Sequence, residues 1–94
     1  MNFYVYILQS QNDNSYYKGY TENPVLRVQQ HNNGHSTYTK NKIPWTIVYL
    51  EMKNSKREAL VREKVLKKYS NHQIVQLILS DKNYLKSFLQ ILAV

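Results

Sequence analysis

Apolar and polar positions along the chain fall into short stretches with two different periods. Tyr4-Val5-Tyr6-Ile7-Leu8 is an unbroken apolar run rich in aromatic and β-branched residues, which predicts a strand. Ser10-Gln11-Asn12-Asp13-Asn14-Ser15 is turn chemistry, with short polar side chains that bond their own backbone. Tyr16-Tyr17-Lys18-Gly19-Tyr20-Thr21 then predicts the returning strand of a hairpin. Side chains alternate along a strand, so Tyr17, Gly19 and Thr21 share one face. Asn23-Pro24 starts a helix, since Asn caps free amides and Pro has none to waste. That helix should reach about Asn32, where Asn33-Gly34 supplies a left-handed stop.

A polar stretch from His35 to Lys42 follows. Pro44 introduces Trp45-Thr46-Ile47-Val48-Tyr49-Leu50, nearly continuous in apolar character, as in a strand covered on both sides. Ser55-Lys56-Arg57-Glu58 has the form of a capping box and opens a helix to about Tyr69. Ser70-Asn71-His72-Gln73 repeats that form and opens another through about Leu79, and Ser80-Asp81 is a start for a last one. The order β-β-α-β-α-α, with or without a final helix, predicts an α+β fold: a small three-stranded antiparallel sheet flanked by helices.

With 94 residues the chain has room for one domain, read as residues 1–80 with a helical extension at 81–94. Tyr84, Leu85, Phe88, Leu89 and Leu92 fall at helical spacing in that extension. Docking on its own core is favoured over meeting a partner, because small domains need the buried area. No cysteine is present, which excludes disulfide frameworks and cysteine-based zinc sites. The N-terminal residues lack a basic export signal, and the run ending at Leu8 is too short to span a bilayer. A cytoplasmic location is the resulting expectation.

Charge changes the picture. Thirteen Lys and Arg against six Asp and Glu give a net charge of +7, a field that gathers polyanions and points to nucleic acid.

One ordered set of residues goes further. Tyr4-Val5-Tyr6 followed by Tyr17-Lys18-Gly19 resembles the paired tripeptides that name the GIY-YIG nucleases. Gly19-Tyr20-Thr21, Arg27, His31-Asn32-x-Gly34, Thr39, Pro44-Trp45, Glu58-Ala59-Leu60 and Glu63-x-x-x-Lys67 follow in the order and spacing of that family. The likeness runs from Phe3 to Ile78 and is nearest to small stand-alone bacterial members and to the N-terminal nuclease domain found in the excinuclease. Departures are Tyr4 for the first glycine, Lys18 for an aliphatic residue, and Tyr20 where the excinuclease domain carries a lysine. Asn71 is a poor match to an asparagine the family has downstream of its glutamate.

The resemblance implies a metal-dependent phosphodiester hydrolase with Tyr6, Tyr17, Arg27, His31 and Glu63 in the site. Glu63 would be the metal ligand. On a helical wheel it lies between Ala59 and Leu60 with Leu66 beyond, an arc where a carboxylate is costly unless paired or metal-bound; a rim pair with Lys67 is the plain alternative. Among the other acids, Asp13 falls in a turn, Glu22 in a loop, Glu58 in a cap and Asp81 at a helix start. Two-metal sites need several acids, so a single Mg2+ (or Mn2+) is expected.

Arg27 and His31, four apart and so on one helix face, would bind the scissile phosphate and relay a proton; solvated-charge and helix-cap roles are their plain alternatives. One motif tyrosine would activate water and the other orient it, with Tyr17 favoured as the base. Gly19, Tyr20, Lys40, Lys42 and Lys67 are expected to contact nucleic acid, within a wider basic set that includes Lys53, Lys56, Arg57, Lys64 and Lys68. His31 and His35 have zinc-like spacing, but Gly34 should end the helix between them.

The substrate expected is DNA, cut with little sequence preference. A non-catalytic nucleic-acid-binding module with the same fold is the rival, and a protein partner or homodimer through residues 84–94 is a third reading. The nuclease expectation carries a geometric condition: Glu63 must not lie across the sheet from the hairpin tyrosines.

Overall fold

β1 (Phe3–Ser10) is the centre of the sheet, with β2 (Tyr16–Thr21) on one side and β3 (Trp45–Lys53) on the other, all neighbours antiparallel. The helices are α1 (Pro24–Asn32), α2 (Lys56–Lys67), α3 (Asn71–Ile78) and α4 (Leu85–Leu92), with a 3-10 turn at Lys40–Lys42. This computed structural model describes residues 2–93. The α+β architecture and the element order are those expected from the pattern, with the last helix present.

Helices cover both faces of the sheet. Val5, Ile7 and Tyr49 pack with Ala59 and Leu66 of α2 and Ile74 and Leu77 of α3. On the opposite face Tyr4, Tyr6, Leu8, Trp45 and Leu50 pack with Val28 of α1 and Leu85 and Phe88 of α4. β1 is covered on both sides, with Tyr4 through Leu8 all buried. β3 is covered on both sides as well, as expected, with Tyr49 in one core and Leu50 in the other, although Thr46 and Met52 of this edge strand are exposed. Its run of apolar residues spans a register shift at Ile7/Leu8. Ile7 pairs Tyr49 and Leu8 pairs Ile47, which leaves Val48 as the extra residue of a bulge.

The helix starts obey local rules. Asn23 Oδ1 accepts the Leu26 amide at 3.1 Å, and Ser55 Oγ accepts the Glu58 amide at 3.1 Å. The reciprocal half of the expected box at α2 is displaced: the Glu58 carboxylate takes the Asn54 amide, at 3.2 Å, instead of that of Ser55. At α3 the box is complete, Ser70 and Gln73 each receiving the other's amide. Gly34 adopts φ +79 just past α1, where the left-handed stop was expected.

α4 begins at Leu85, five residues later than Ser80. Ser80 donates back to the Leu77 carbonyl at 2.7 Å and so finishes α3. Asn83 explains the gap. Its side chain bonds the Val48 and Ile78 carbonyls at 3.0 and 2.9 Å and accepts the Leu50 and Leu85 amides at 3.2 and 3.1 Å. Tyr84 adds its amide to the Leu50 carbonyl at 2.8 Å. These bonds satisfy the outer edge of β3, which would otherwise expose pairing groups. Phe88 of α4 then stacks edge-on against Tyr4, with ring centroids 5.6 Å apart. Among the described residues no helix is long and apolar enough to cross a membrane.

Candidate active site

Tyr6 stands in the middle of β1 on the α1 face, opposite Gly19 of β2. Its ring lies directly over that glycine. A Cβ at position 19 would come within 2.5 Å of the Tyr6 hydroxyl and 2.6 Å of its Cζ. Tyr6 is only 2% exposed, so its ring has no free volume to swing into. Gly19 is thus required by close approach. Gly19→Ala should cost roughly 1–3 kcal/mol by overpacking, read as a lowered denaturant midpoint; an unchanged midpoint would contradict it.

His31 receives the Tyr6 hydroxyl end. Its Nε2 is 2.9 Å from that oxygen, and its Nδ1 is 2.8 Å from Thr39 Oγ1. Thr39 is itself fixed, its carbonyl accepting Trp45 Nε1 at 2.9 Å. Asn32 clamps the same region, accepting the Trp45 amide at 2.6 Å and donating to the Trp45 carbonyl at 3.0 Å. His31, Asn32, Thr39 and Trp45 therefore form one scaffold holding the C-terminal end of α1 to the start of β3. The imidazole is completely buried, so it does not act as a solvent-exposed cap on the helix dipole.

Burial, helped by the positive charge of Arg27, pushes the His31 imidazole down to about 4. It is neutral at pH 7, with one ring nitrogen donating and the other accepting. The unfolded chain titrates this group near 6.5 and so binds the extra proton first. Stability from this site is complete above about pH 6.5 and is lost as pH falls toward about 4. Wild type compared with His31→Gln should show the difference in unfolding free energy shrinking by about 1 kcal/mol per pH unit across that window. A pH-independent difference would refute it.

Tyr17 is half-buried, its ring 5.0 Å from His31, 6.4 Å from Tyr6 and 6.3 Å from Trp45. Arg27 is half-buried and donates to Gln30 Oε1 at 3.1 Å. Glu63 is carried by α2. α2 seats Ala59 and Leu66 on the Val5 and Ile7 face, so the body of the helix does lie across the sheet from Tyr6. Glu63, however, is on the flank of α2, which packs along β1 and the edge strand β2. Its side chain is 15% exposed, with Lys67 Nζ at 3.8 Å.

The Tyr6 phenol registers the whole group. Burial pushes it up to about 12, hydrogen bonding and charge from Arg27 pull it down, and Tyr17 and the Glu63 charge push it up. His31 of α1 bonds the Tyr6 hydroxyl, and Tyr17 of β2 sets its ring beside both. A two-faced sheet permits this because β2 is its edge and carries no side chain at Gly19.

Other expected contacts go elsewhere. Tyr20 pairs Val5 and packs on the α2 and α3 core, because strand alternation turns it away from Gly19. Lys42 pairs with Asp13 at 3.3 Å beside the hairpin turn, while Lys40 is exposed on the same 3-10 segment. His35 is exposed, and among the described residues no three His, Cys, Asp or Glu side chains form a metal-binding group. Asn71 opens α3 on the surface.

Glu51 had no sequence signal of its own. It is 8% exposed, and its carboxylate accepts Arg62 Nε at 3.2 and 2.9 Å, Lys53 Nζ at 2.8 Å and the Tyr49 hydroxyl. Burial opposes its ionisation, yet the bonds from Lys53, Tyr49 and Arg62 outweigh burial and hold it below the usual carboxylate range. Period-two alternation from the core residue Tyr49 would have placed it facing inward.

Residues 2–75 match the family model of the GIY-YIG catalytic domain. A UPF0213 protein of Clostridium perfringens is 43% identical over 88 residues, covering 88% of this chain and 94% of that one. Another, from Staphylococcus haemolyticus, is 45% identical over 76 residues, covering 80% and 92%. Among solved structures, the solution NMR structure of a UPF0213 protein from Bacillus halodurans aligns with a TM-score of 0.56 at 35% identity, over 87% of each chain.

Proposed function

Because this chain belongs to the GIY-YIG catalytic-domain family, a nuclease family, we propose that it is a metal-dependent endonuclease that hydrolyses DNA with little sequence preference. The observation that supports the proposal is the cluster of Tyr6, Tyr17 and His31, closed by the Tyr6–His31 hydrogen bond, in a chain that carries the family's motif residues Arg27 and Glu63.

The donor set fits one hard divalent cation. Glu63 is the carboxylate of the family motif, and among the described residues no three His, Cys, Asp or Glu side chains cluster as a multi-acid site would need. Such a site suits Mg2+ or Mn2+ held by one protein carboxylate, with waters and phosphate oxygens completing the shell. When bound, the ion supplies positive charge to the phosphoryl oxygens and the leaving group.

Each side chain then has a distinct task. Arg27, a permanently charged fork, holds the scissile phosphate and meets its developing charge. Tyr17 is half-buried and open to solvent on one side, which suits it to take the proton of the attacking water. Tyr6 is buried and pushed up to about 12, so it keeps its proton and serves to orient. His31, neutral and held by Thr39, fixes the Tyr6 hydroxyl. Exposed Lys40, Lys56, Arg57, Lys64 and Lys67 supply sequence-blind phosphate contacts.

One observation favours the rival, non-catalytic reading. Glu63 has Lys67 at 3.8 Å and can rest as a plain intrahelical ion pair. Supercoiled plasmid separates the two. Nicking with Mg2+ or Mn2+ that chelator stops and added metal restores is the expected result. Salt-sensitive binding with no turnover under any metal would establish the rival.

A further inference from the structure

We propose that Glu51 is a positioning residue, which sets the rotation of α2 about its own axis and thereby the place of the Glu63 carboxylate. This rests on the reading of Glu63 as the site's acid, although the geometry of the lock stands by itself.

The reason begins with how little else sets that rotation. α2 buries two side chains against the sheet, Ala59 and Leu66. They are seven residues apart and form a narrow stripe, one end of which is a methyl group. Successive residues are turned by about 100° on a helix, so Arg62 and Glu63 stand on opposite flanks of this stripe. A narrow apolar stripe tolerates some rolling; a bonded flank does not.

The Glu63 flank cannot supply that restraint. Its partner Lys67 belongs to the same helix and turns with it. The Arg62 flank can. Its Nε bonds both oxygens of Glu51, at 3.2 and 2.9 Å, and Glu51 sits on β3 opposite Val5 of the central strand. Tyr49 and Lys53, both on β3, hold the same carboxylate from the sheet side. The guanidinium lies over the Tyr69 ring at 5.8 Å, which limits its sideways movement. Among the described residues, the side-chain hydrogen bonds from α2 into the sheet are those of Arg62.

The lever is long enough to matter. Cα atoms lie about 2.3 Å from a helix axis and a glutamate side chain adds roughly 4 Å, so a roll of about 20° swings the carboxylate about 2 Å. Catalytic constellations tolerate displacements of only about 0.5 Å. The adjacent positions 62 and 63 therefore divide the work: one residue locks the helix, and the other is aimed by it.

Two substitutions test the lock. Glu51→Gln keeps the size of the side chain and removes its charge. Arg62→Lys keeps the charge and removes the Nε donor that both carboxylate oxygens share. The first readout uses neither metal nor substrate: amide residual dipolar couplings along α2, whose periodic phase reports the roll of the helix. Both folded variants should shift that phase while α1 keeps its own. Unchanged phase in both variants overturns the inference, whatever the nuclease assays show.

The second readout is Mn2+ binding, followed by paramagnetic broadening of the Tyr6 and Tyr17 ring signals. The half-saturating concentration should rise about tenfold in each variant, as for lost supporting contacts in metal sites. A purely structural role would lower the thermal midpoint and leave this concentration unchanged at low temperature, and that result too overturns the proposal. Wild type showing no broadening that Glu63→Gln abolishes would instead count against the reading of Glu63, leaving the dipolar couplings to decide the lock. Should Glu51→Gln fail to fold, Arg62→Lys carries both measurements.

Discussion

Glu63→Gln should lower plasmid cleavage by about a thousandfold and leave the chain folded and bound to nucleic acid. A metal ion contributes several kcal/mol of transition-state stabilisation, and each 1.36 kcal/mol is tenfold in rate, so about three powers of ten follow. The substitution preserves shape and hydrogen-bonding capacity and removes only the charge. The Glu63 side chain is largely buried, but its ion pair is with the exposed Lys67 one turn along the same helix, and such intrahelical pairs contribute only about 0.2–0.5 kcal/mol. Stability is therefore expected to change little while rate collapses. Cleavage within tenfold of wild type, measured at saturating Mn2+, would remove Glu63 from the chemistry.

The two motif tyrosines should respond in opposite ways. Tyr17→Phe is expected to lower the rate by about 10^2–10^4, the usual contribution of a positioned base, with little loss of stability. Tyr6→Phe should do the reverse first. It strips the buried His31 Nε2 of its partner at 2.9 Å, and an unsatisfied buried polar group costs about 1–3 kcal/mol. Its rate loss is then indirect, through a misplaced imidazole and a loosened α1 end. Unfolding midpoints and single-turnover rates on the same preparations separate these outcomes. A fully active Tyr17→Phe would reverse the assignment of the two phenols.

That division of labour was open in the sequence. Tyr6 and Tyr17 are both motif tyrosines on strands, and the sequence does not say which of them meets solvent at the site. Burial separates them: Tyr6 is on the central strand and enclosed, and Tyr17 is on an edge strand and reaches solvent. His31 shows the same effect. Its helical spacing to Arg27 fits the shared face, but its complete burial and its bond to Thr39 depend on a loop that returns eight residues later.

Details of the elements have physical causes as well. The run Trp45–Leu50 is covered on both faces although its strand is an edge, since a bulge adds Val48 and Tyr49 and Leu50 enter opposite cores. Ser80-Asp81 resembled a helix start, yet Ser80 turns back to the Leu77 carbonyl and Asn83 takes the chain to the edge of β3.

Local sequence determined the elements themselves. Caps at Asn23, Ser55 and Ser70, the stop at Gly34 and the alternation of the hairpin each act within a few residues. Such signals are short-range, and they hold whatever the rest of the chain does. Only the tertiary structure decided that α2 lies across the sheet from Tyr6, with Arg62 and Glu63 on its opposite flanks. It also decided that Glu51 is a buried hub for Arg62, Lys53 and Tyr49. Charge and burial act through space. Their effects depend on which strand is the edge and how a helix is rolled, and no single stretch of residues encodes either.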